Sequence, residues 1–583
     1  MNEQWQVVWR QFKKNKIGLI ALLFFLLLFL VGLYAPLLAS SKPLVVWWNK
    51  RLYFPLLRYL FYRGFYSKPI DLFYNILMFT LPLFIIFYKR KWVLLGVAAF
   101  HIAFFIFVLK GGIKDPQSSF QLRHEKQALA AKHEAYREDP VLAPIDPYPT
   151  WKAELKFMTP YAKLNELLRF RQRKKQHDRF APYRAQFLAA TGQEMATLWH
   201  VERSREEEKR QLLQKTVHQT EKEYEHALER LPELIAAYRP FSHDYLIAKY
   251  EVEQAKHRLD VHSDHPHSDE YKVAQLTLER MQNNFQKAIQ EAAPARTPLQ
   301  EARNIVQTYR DATAQLYYLD ERDEWVNEES KSLRVLIPTL VRPFHWEDDA
   351  GGAQITNKYV PWWELTRINR KDLFSSLLFG IRVSLVVGIS AVAIALIIGI
   401  PLGTISGYFA GKTDLIVCRI VEIWEAMPTF FMLLLVIAIT QSKSIFLVIA
   451  VLGIFGWTSF CRFIRAEVLR QRSLPYVLAT KSMGYRPWKI MFSHILPNAI
   501  PPILTLLPFS LMAAITSEAG LSFLGLGEEG SSSWGVLMDE GRSVFPGESY
   551  LLWPPAILLT LLLIAIALVG DVLRDALDPK LRT

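Results

Sequence analysis

Few residues in this chain are suited to chemistry by type and spacing. His262-Ser-Asp264-His265-Pro-His267-Ser-Asp269 gathers three imidazoles and two carboxylates into eight residues. Those are zinc-type donors at short spacing. A proline-containing polar turn between two helices explains the same octet equally well, so His262, His265 and His267 are candidates only, and no resident cofactor is expected. A single carboxylate, Glu518, lies inside an apolar run. An ionisable group there either lines a path for solute or pairs with a neighbouring polar group. No Gly-rich phosphate loop followed by Lys-Ser/Thr occurs, no His-Glu-Xaa-Xaa-His and no nucleophile–base constellation. The chain is therefore not expected to be an enzyme, and no residue is read as catalytic.

The elements that would position these residues follow from composition. Of 583 residues, 51% are hydrophobic, and the net charge is +13. The charges are unevenly spread. Residues 115–335 hold 34 Lys/Arg and 36 Asp/Glu, while the rest of the chain carries a net of +15 between long apolar runs. Membrane segments and a water-soluble insert are joined in one chain, which excludes a single soluble globule. Two cysteines, Cys418 and Cys461, exclude a disulfide framework and read as small packing residues.

Apolar runs long enough to span a bilayer are expected at Ile17–Leu38, Leu72–Tyr88, Trp92–Leu109, Val383–Tyr408, Ala426–Thr440, Ile445–Phe460, Ala499–Leu524 and Leu551–Leu573, eight in all. The first is read as an uncleaved anchor, being longer than a signal-peptide apolar region. Placing Lys13, Lys14 and Lys16 inside puts the tip Lys89–Lys91, the cluster Arg462–Lys489 and the tail with Arg574, Lys580 and Arg582 on the same side. Both termini are then cytoplasmic and residues 110–382 are external. The basic excess thus marks topology and contact with membrane lipid, and no nucleic-acid partner is expected.

The organisation predicted is a cytoplasmic segment and first span (1–38), an external segment (39–70), a membrane hairpin (71–110), an external helical insert (115–335), a linker (336–376), a membrane core (377–573) containing a cytoplasmic loop (464–498), and a tail (574–583). The fold class is all-α. Within the insert, Leu198, Val201, Leu212, Leu213, Val217, Tyr224, Leu228 and Leu231 recur mostly at helical spacing. The polar run between Val201 and Leu212 is too charged for an apolar seam. Several antiparallel, partly coiled-coil-like helices are expected, interrupted at Pro232 and at 262–269.

The loop Ser473-Leu-Pro-Tyr-Val-Leu-Ala479-Thr-Lys-Ser-Met-Gly484-Tyr-Arg-Pro487-Trp-Lys-Ile-Met-Phe-Ser-His494-Ile-Leu-Pro497-Asn498 is the most informative stretch. Ser473 is expected to cap a short helix, Gly484 to end it in a left-handed turn, Pro487 to start a second helix and Pro497 to end that one. Two short helices joined at a glycine make an elbow able to pass force from a soluble partner to the spans.

These residues resemble the coupling-loop signature of ABC-importer permeases, the EAA motif, in its dipeptide/oligopeptide form. Leu478-Ala479-Thr480 stands at the small-residue triplet, with Leu478 in place of the usual glutamate; Gly484 stands at the glycine, and His494 to Asn498 at the ending. Gly380-Ile-Arg382-Val-Ser384, Gly403 to Gly411, Glu422-Ile-Trp-Glu425-Ala-Met-Pro428, Glu518 to Gly527 and Asp571 to Lys580 are similar to further stretches of oligopeptide permease C and microcin C-type peptide permeases. The likeness covers residues 1–60 loosely and 370–583 strongly.

It implies a type I importer permease core in a bacterial inner membrane, forming a path for peptides or peptide-like solutes. The implied partners are a second homologous permease, two ATP-binding subunits that use ATP and Mg, and an external substrate-binding protein. Ala479, Gly484, His494, Pro497 and Asn498 would then form the ATPase-coupling loop. One departure is Glu364-Leu-Thr366-Arg367-Ile-Asn-Arg370-Lys371-Asp372, where relatives carry an aspartate at position 367. A strongly basic local surface is expected there, altering contact with the binding protein. The competing reading is a membrane-anchored scaffold or sensor whose insert is the functional part.

Overall fold

A computed structural model of the chain describes residues 2–113, 139, 141–142, 144–145, 150–261, 269–348, 359–364, 367, 371–546 and 549–577. The main elements are α1 (Asn2–Lys14), α2 (Lys16–Leu33), β1 (Val45–Trp48), β2 (Arg51–Tyr53), α3 (Pro69–Ile86), α4 (Lys91–Leu109), α5 (Pro160–Arg179), α6 (Leu198–Val261), α7 (Asp269–Ser332), β3 (Arg334–Ile337), α8 (Leu373–Phe409), α9 (Gly411–Ala426), α10 (Thr429–Thr440), α11 (Ile445–Gln471), α12 (Pro475–Ser482), α13 (Leu496–Ile503), α14 (Leu507–Leu521), α15 (Trp534–Ser543) and α16 (Trp553–Leu577). They sort into a membrane unit, Met1–Ile113, Phe180–Thr197 and Val335–Thr583, and a second unit, Lys114–Arg179 and Leu198–Arg334. Helix dominates both, with one small three-stranded sheet ordered β2-β1-β3 among the described residues.

Among the described residues, seven helices of the membrane unit are long and apolar enough to cross a bilayer by themselves. The fifth predicted span is not one helix. α10 has 12 residues, about 18 Å at 1.5 Å per residue, too short for a hydrocarbon core of about 30 Å. It joins α9 at a 72° break. Met427 before Pro428 is held extended (φ −89°, ψ 114°), as the proline ring demands of its predecessor, and the helix must restart.

Whether this bent pair crosses is decided by its neighbours. A Cβ built on Gly399 would lie 2.6 Å from the Trp457 carbonyl oxygen, on Gly403 2.5 Å from that of Cys461, and on Gly407 2.7 Å from that of Arg465. Both sets of numbers rise together in steps of four, so α8 and α11 run parallel, backbone against backbone along a glycine seam. Two parallel neighbours need a return crossing between them. The α9–α10 pair supplies it, and the count is eight.

α8 begins where Asp372 accepts the Ser375 N–H at 2.7 Å, a side-chain cap for an otherwise unsatisfied donor. At the other end of the unit, Val8 and Phe12 of α1 pack on Val572 and Ala576 of α16. Phe180, Phe187 and Met195, from inside the stretch read as insert, pack with Val360 as part of the membrane unit.

In the second unit α6 and α7 each run 64 residues, about 96 Å. Arg210 pairs with Asp320, Tyr224 stacks on Tyr309 at 4.1 Å and Tyr245 meets Phe285 at 5.4 Å. Partner numbers fall as the first rise, so the helices are antiparallel. Pro232 does not interrupt α6, contrary to expectation. Pro232 and Pro240 of α6 lie at the level of Pro298 and Pro294 of α7. There Tyr238, Ala292, Leu299 and Val141 form a buried cluster, and the packing offsets the missing backbone bonds. The charged run after Val201 is used as charge. Arg203 pairs with Glu206 and Asp323, and Arg322 with Glu206 and Glu166.

Candidate functional site

The loop between α11 and α14 folds as an elbow. Pro475 opens α12 in its first turn, where a missing N–H costs nothing. Ser473 is not the cap: its hydroxyl donates to the Arg470 carbonyl at 2.9 Å, and Leu474 holds the capping position without a side-chain bond. The far end closes as expected. Gly484 has φ +76°, its N–H donates to the Lys481 carbonyl at 3.0 Å, and that of Tyr485 donates to the Thr480 carbonyl at 3.3 Å. This pair of bonds defines a Schellman ending, which needs a left-handed residue.

Arg486 is then extended (φ −62°, ψ 142°) before Pro487, which starts the second arm. Pro497 does not end that arm. A widened π-type turn over Ile490–Ile495 lets the Leu496 N–H reach the Met491 carbonyl, and Pro497 sits in the first turn of α13. The extra residue in the turn removes the clash and unpaired carbonyl that a proline would otherwise cause.

The elbow has two faces. Val477, Ile490, Ile495, Ala499 and Ile503 are buried against Trp457, Phe460, Cys461, Ile464 and Val468 of α11. Residues 478 and 479 and all of 481–489 are exposed. On that outer face Lys489 lies 4.4 Å over the Tyr485 ring, Trp488 stacks on Phe492 at 5.8 Å, and Tyr485 meets the His494 ring at 5.7 Å. Asn498 donates to the His494 carbonyl at 2.9 Å. Gly484, His494 and Asn498 are thus linked through Tyr485 into one surface, with Ala479 exposed on the first arm. Between Glu467 and Glu518 there is no carboxylate, so the surface is aromatic, apolar and cationic. It suits a partner that presents carboxylates around an apolar centre.

Glu518 is buried in the span that continues α14. One carboxylate oxygen accepts from the hydroxyls of Ser522 and Ser533, each at 2.7 Å, and the other has no partner among the described residues. Ser533 also accepts from the Gly535 N–H at 3.2 Å, so the carboxylate ties the following loop to the span. Gly520, two residues on, faces open space: a Cβ there would meet nothing within 4 Å.

Two further clusters were not legible as sites. Arg382, wholly buried in α8, donates to Asp71 at 3.2 Å, Asn75 at 3.0 Å, and the Gly32 and Leu33 carbonyls at 2.6 and 3.1 Å. Trp346 completes the cluster by donating to Asp71 at 2.9 Å. α3 of the added hairpin is thereby joined to α2 and α8 of the core. An aspartate and an arginine, each standing immediately before an apolar run, were the only signal. Arg367, expected to make the surface basic, is also buried and pairs side-on with Glu540 through Nε and Nη2. Its charge is neutralised internally, which corrects the reading of a strongly basic patch at this residue. Thr366 and Arg370 lie outside the described residues.

Beside the first cluster, burial chiefly, and then the Asp71 carboxylate, push Glu347 up to about 7 against the opposing pull of Ser67 and Lys371. Its proton is held more tightly folded than unfolded. This contribution to stability is full below the usual glutamate range and is lost as pH rises through about 7. Glu347→Gln is expected to flatten the melting temperature in detergent between about pH 5 and 8, relative to the parent. An unchanged pH slope would count against it.

The candidates His262, His265 and His267 lie outside the described residues. Among the described residues no group of three His, Cys, Asp or Glu side chains could hold a metal.

Comparison with known proteins bears on the same regions. Residues 3–54 match the N-terminal TM domain of oligopeptide transport permease C, and residues 399–583 match the binding-protein-dependent transport system inner membrane component. The oligopeptide transport system permease protein OppC of Bacillus subtilis is 37% identical over 254 residues, 42% of this chain and 83% of that one. The dipeptide transport system permease protein DppC of Bacillus subtilis is 32% identical over 257 residues, 43% and 80% respectively. The peptidoglycan transport system permease protein YejE of Agrobacterium fabrum is 35% identical over 219 residues, 37% of this chain and 57% of that relative. With eight spans, the elbow loop and these matches in hand, the chain belongs to the inner-membrane permease components of binding-protein-dependent transport systems, in the oligopeptide permease C group.

Proposed function

We propose that this chain lines the translocation path for peptides or peptide-like solutes and receives the ATPase stroke through the elbow at Gly484. The observation that carries the reading is the elbow's division into a face buried on α11 and an exposed aromatic, cationic face. A partner gripping the outer face would move α11 through Val477, Ile490 and Ile495. The partners are a second homologous permease, two ATP-binding subunits that bind and hydrolyse ATP with Mg, and an external substrate-binding protein. The elbow and both termini face the cytoplasm, and the insert is external. Shifting packed helices between two arrangements then exposes the path to either side. Glu518, tied to the loop after its span, sits where that loop and the path meet.

Gly484→Asp tests the elbow. Left-handed backbone costs a non-glycine residue about 1–2 kcal/mol, too little to unfold a chain of this size, while a carboxylate enters a cationic contact face. Peptide uptake is expected to be abolished while the variant still co-purifies in mild detergent with both ATPases and the second permease. Normal uptake would sink the coupling role; parent chain purifying without ATPases would sink the wider reading.

A further inference from the structure

Residues 40–68, between the first two spans, contain six cations, nine aromatic residues and no carboxylate. The cations differ in their surroundings. Arg63 donates to the Leu109 carbonyl at 2.8 Å, Lys68 pairs with Glu528, and Lys42 lies over the Tyr59 ring at 4.9 Å. Lys50, Arg51 and Arg58 are exposed. The apolar side chains divide likewise. Val46 and Trp48 are buried beneath β1. Trp47 and Leu52 are directly paired across β1 and β2, so they share the other face, and both are exposed. Phe54 and Leu57, just beyond β2, are exposed too, as is Leu336 on β3. An outward face with tryptophan, leucine and phenylalanine ringed by cations is not a water-facing composition.

Its position is tied to the bilayer. The Leu340 and Val341 N–H groups donate to the Leu37 and Leu38 carbonyls, each at 3.0 Å, and Ala39 bridges Arg342. The segment that leaves β3 is therefore bonded to the chain just past the end of α2 at Leu33, where a membrane span leaves hydrocarbon. The charge has no role in orientation: this loop lies opposite the Lys13–Lys16 and Lys89–Lys91 ends, so its cations oppose the positive-inside bias.

We propose that the outer face of β1 and β2 is an interfacial foot, with Trp47, Leu52, Phe54 and Leu57 entering the headgroup layer of the adjoining leaflet and Lys50 and Arg58 on anionic phospholipid. Tryptophan at the headgroup level and basic residues against an anionic surface are what such a layer recognises. The foot would hold the sheet, and the chain entering β3, at a fixed height. An acidic soluble protein is the alternative occupant, and the experiment separates the two.

Spin labels are placed at Trp47→Cys or Leu52→Cys in the full chain carrying Cys418→Ser and Cys461→Ala, reconstituted in phosphatidylglycerol nanodiscs. Labels at Ile20→Cys and Leu212→Cys, exposed residues of α2 and of the second unit, calibrate lipid and water. Collision with oxygen over a water-soluble nickel chelate should match the lipid standard. Adding Lys50→Glu and Arg58→Glu should shift it to the water standard, each cation being worth about fivefold in partitioning. A water-like label in the parent, including one shielded only when an acidic binding protein is added, overturns the proposal. So does a lipid-like label indifferent to the charge reversals, because anionic lipid would then not be what holds it.

Discussion

Asp71→Ala is expected to cost about 3–5 kcal/mol, because it leaves the Arg382 guanidinium buried without its counter-charge. Arg382 is wholly buried and Asp71 nearly so, and the pair joins α3 to α8. The remaining partners, Asn75 and the backbone carbonyls of Gly32, Leu33 and residue 71 itself, accept hydrogen bonds but carry no charge. The loss should appear as a lower melting temperature and less monodisperse protein in detergent. Asp71→Asn, which keeps one accepting oxygen for either Trp346 or Arg382 and loses the charge, should fall between. The double change Asp71→Leu with Arg382→Met should recover part of the loss, since it removes both charges. Recovery stays partial because the Gly32 and Leu33 carbonyls lose their donor. If Asp71→Ala melts with the parent, this cluster does not hold the hairpin.

Gly403→Leu is the second large effect. Its Cβ would lie 1.9 Å from an Ile464 methyl and 2.5 Å from the Cys461 carbonyl oxygen. The methyl can rotate away; the carbonyl belongs to α11 and cannot. The helices must separate, opening the contacts at Gly399 and Gly407 as well, so the cost should exceed the usual 1–3 kcal/mol for overpacking one site. Little protein is expected to accumulate in membranes. Gly520→Leu is the matched control: a Cβ there meets nothing within 4 Å, and near-parental accumulation is expected. Equal accumulation of both variants would remove the seam from the account.

What could be read before folding, and what could not, divides along physical lines. Seven spans were legible because a run of about 20 apolar residues has few other solutions. The eighth was misdrawn because apolar content says nothing of a 72° break, and its crossing was settled only by the parallel seam. Gly484 and Pro487 were legible because their backbone limits are local. Pro497 was misread because a widened turn, set by packing on α11, absorbed it. The same holds in the second unit, where prolines of two helices share one level and one apolar cluster. Arg382 and Asp71 lie 311 positions apart, and Arg367 faces Glu540 across 173. Such pairings are invisible until the chain is folded, and a surface charge cannot then be told from a neutralised one.

The chain leaves the membrane unit after Ile113, returns to it for Phe180–Thr197, and departs again before rejoining at Val335. The extramembrane module is therefore sewn in with two stitches. Genetically it cannot be subtracted as one block. Excising residues 115–335 would also pull Phe180, Phe187 and Met195 away from Val360, and loss of transport would then report a torn scaffold. A fair subtraction trims the 64-residue arms α6 and α7 in equal lengths, back from Val261 and forward from Asp269, leaving the returning stitch in place.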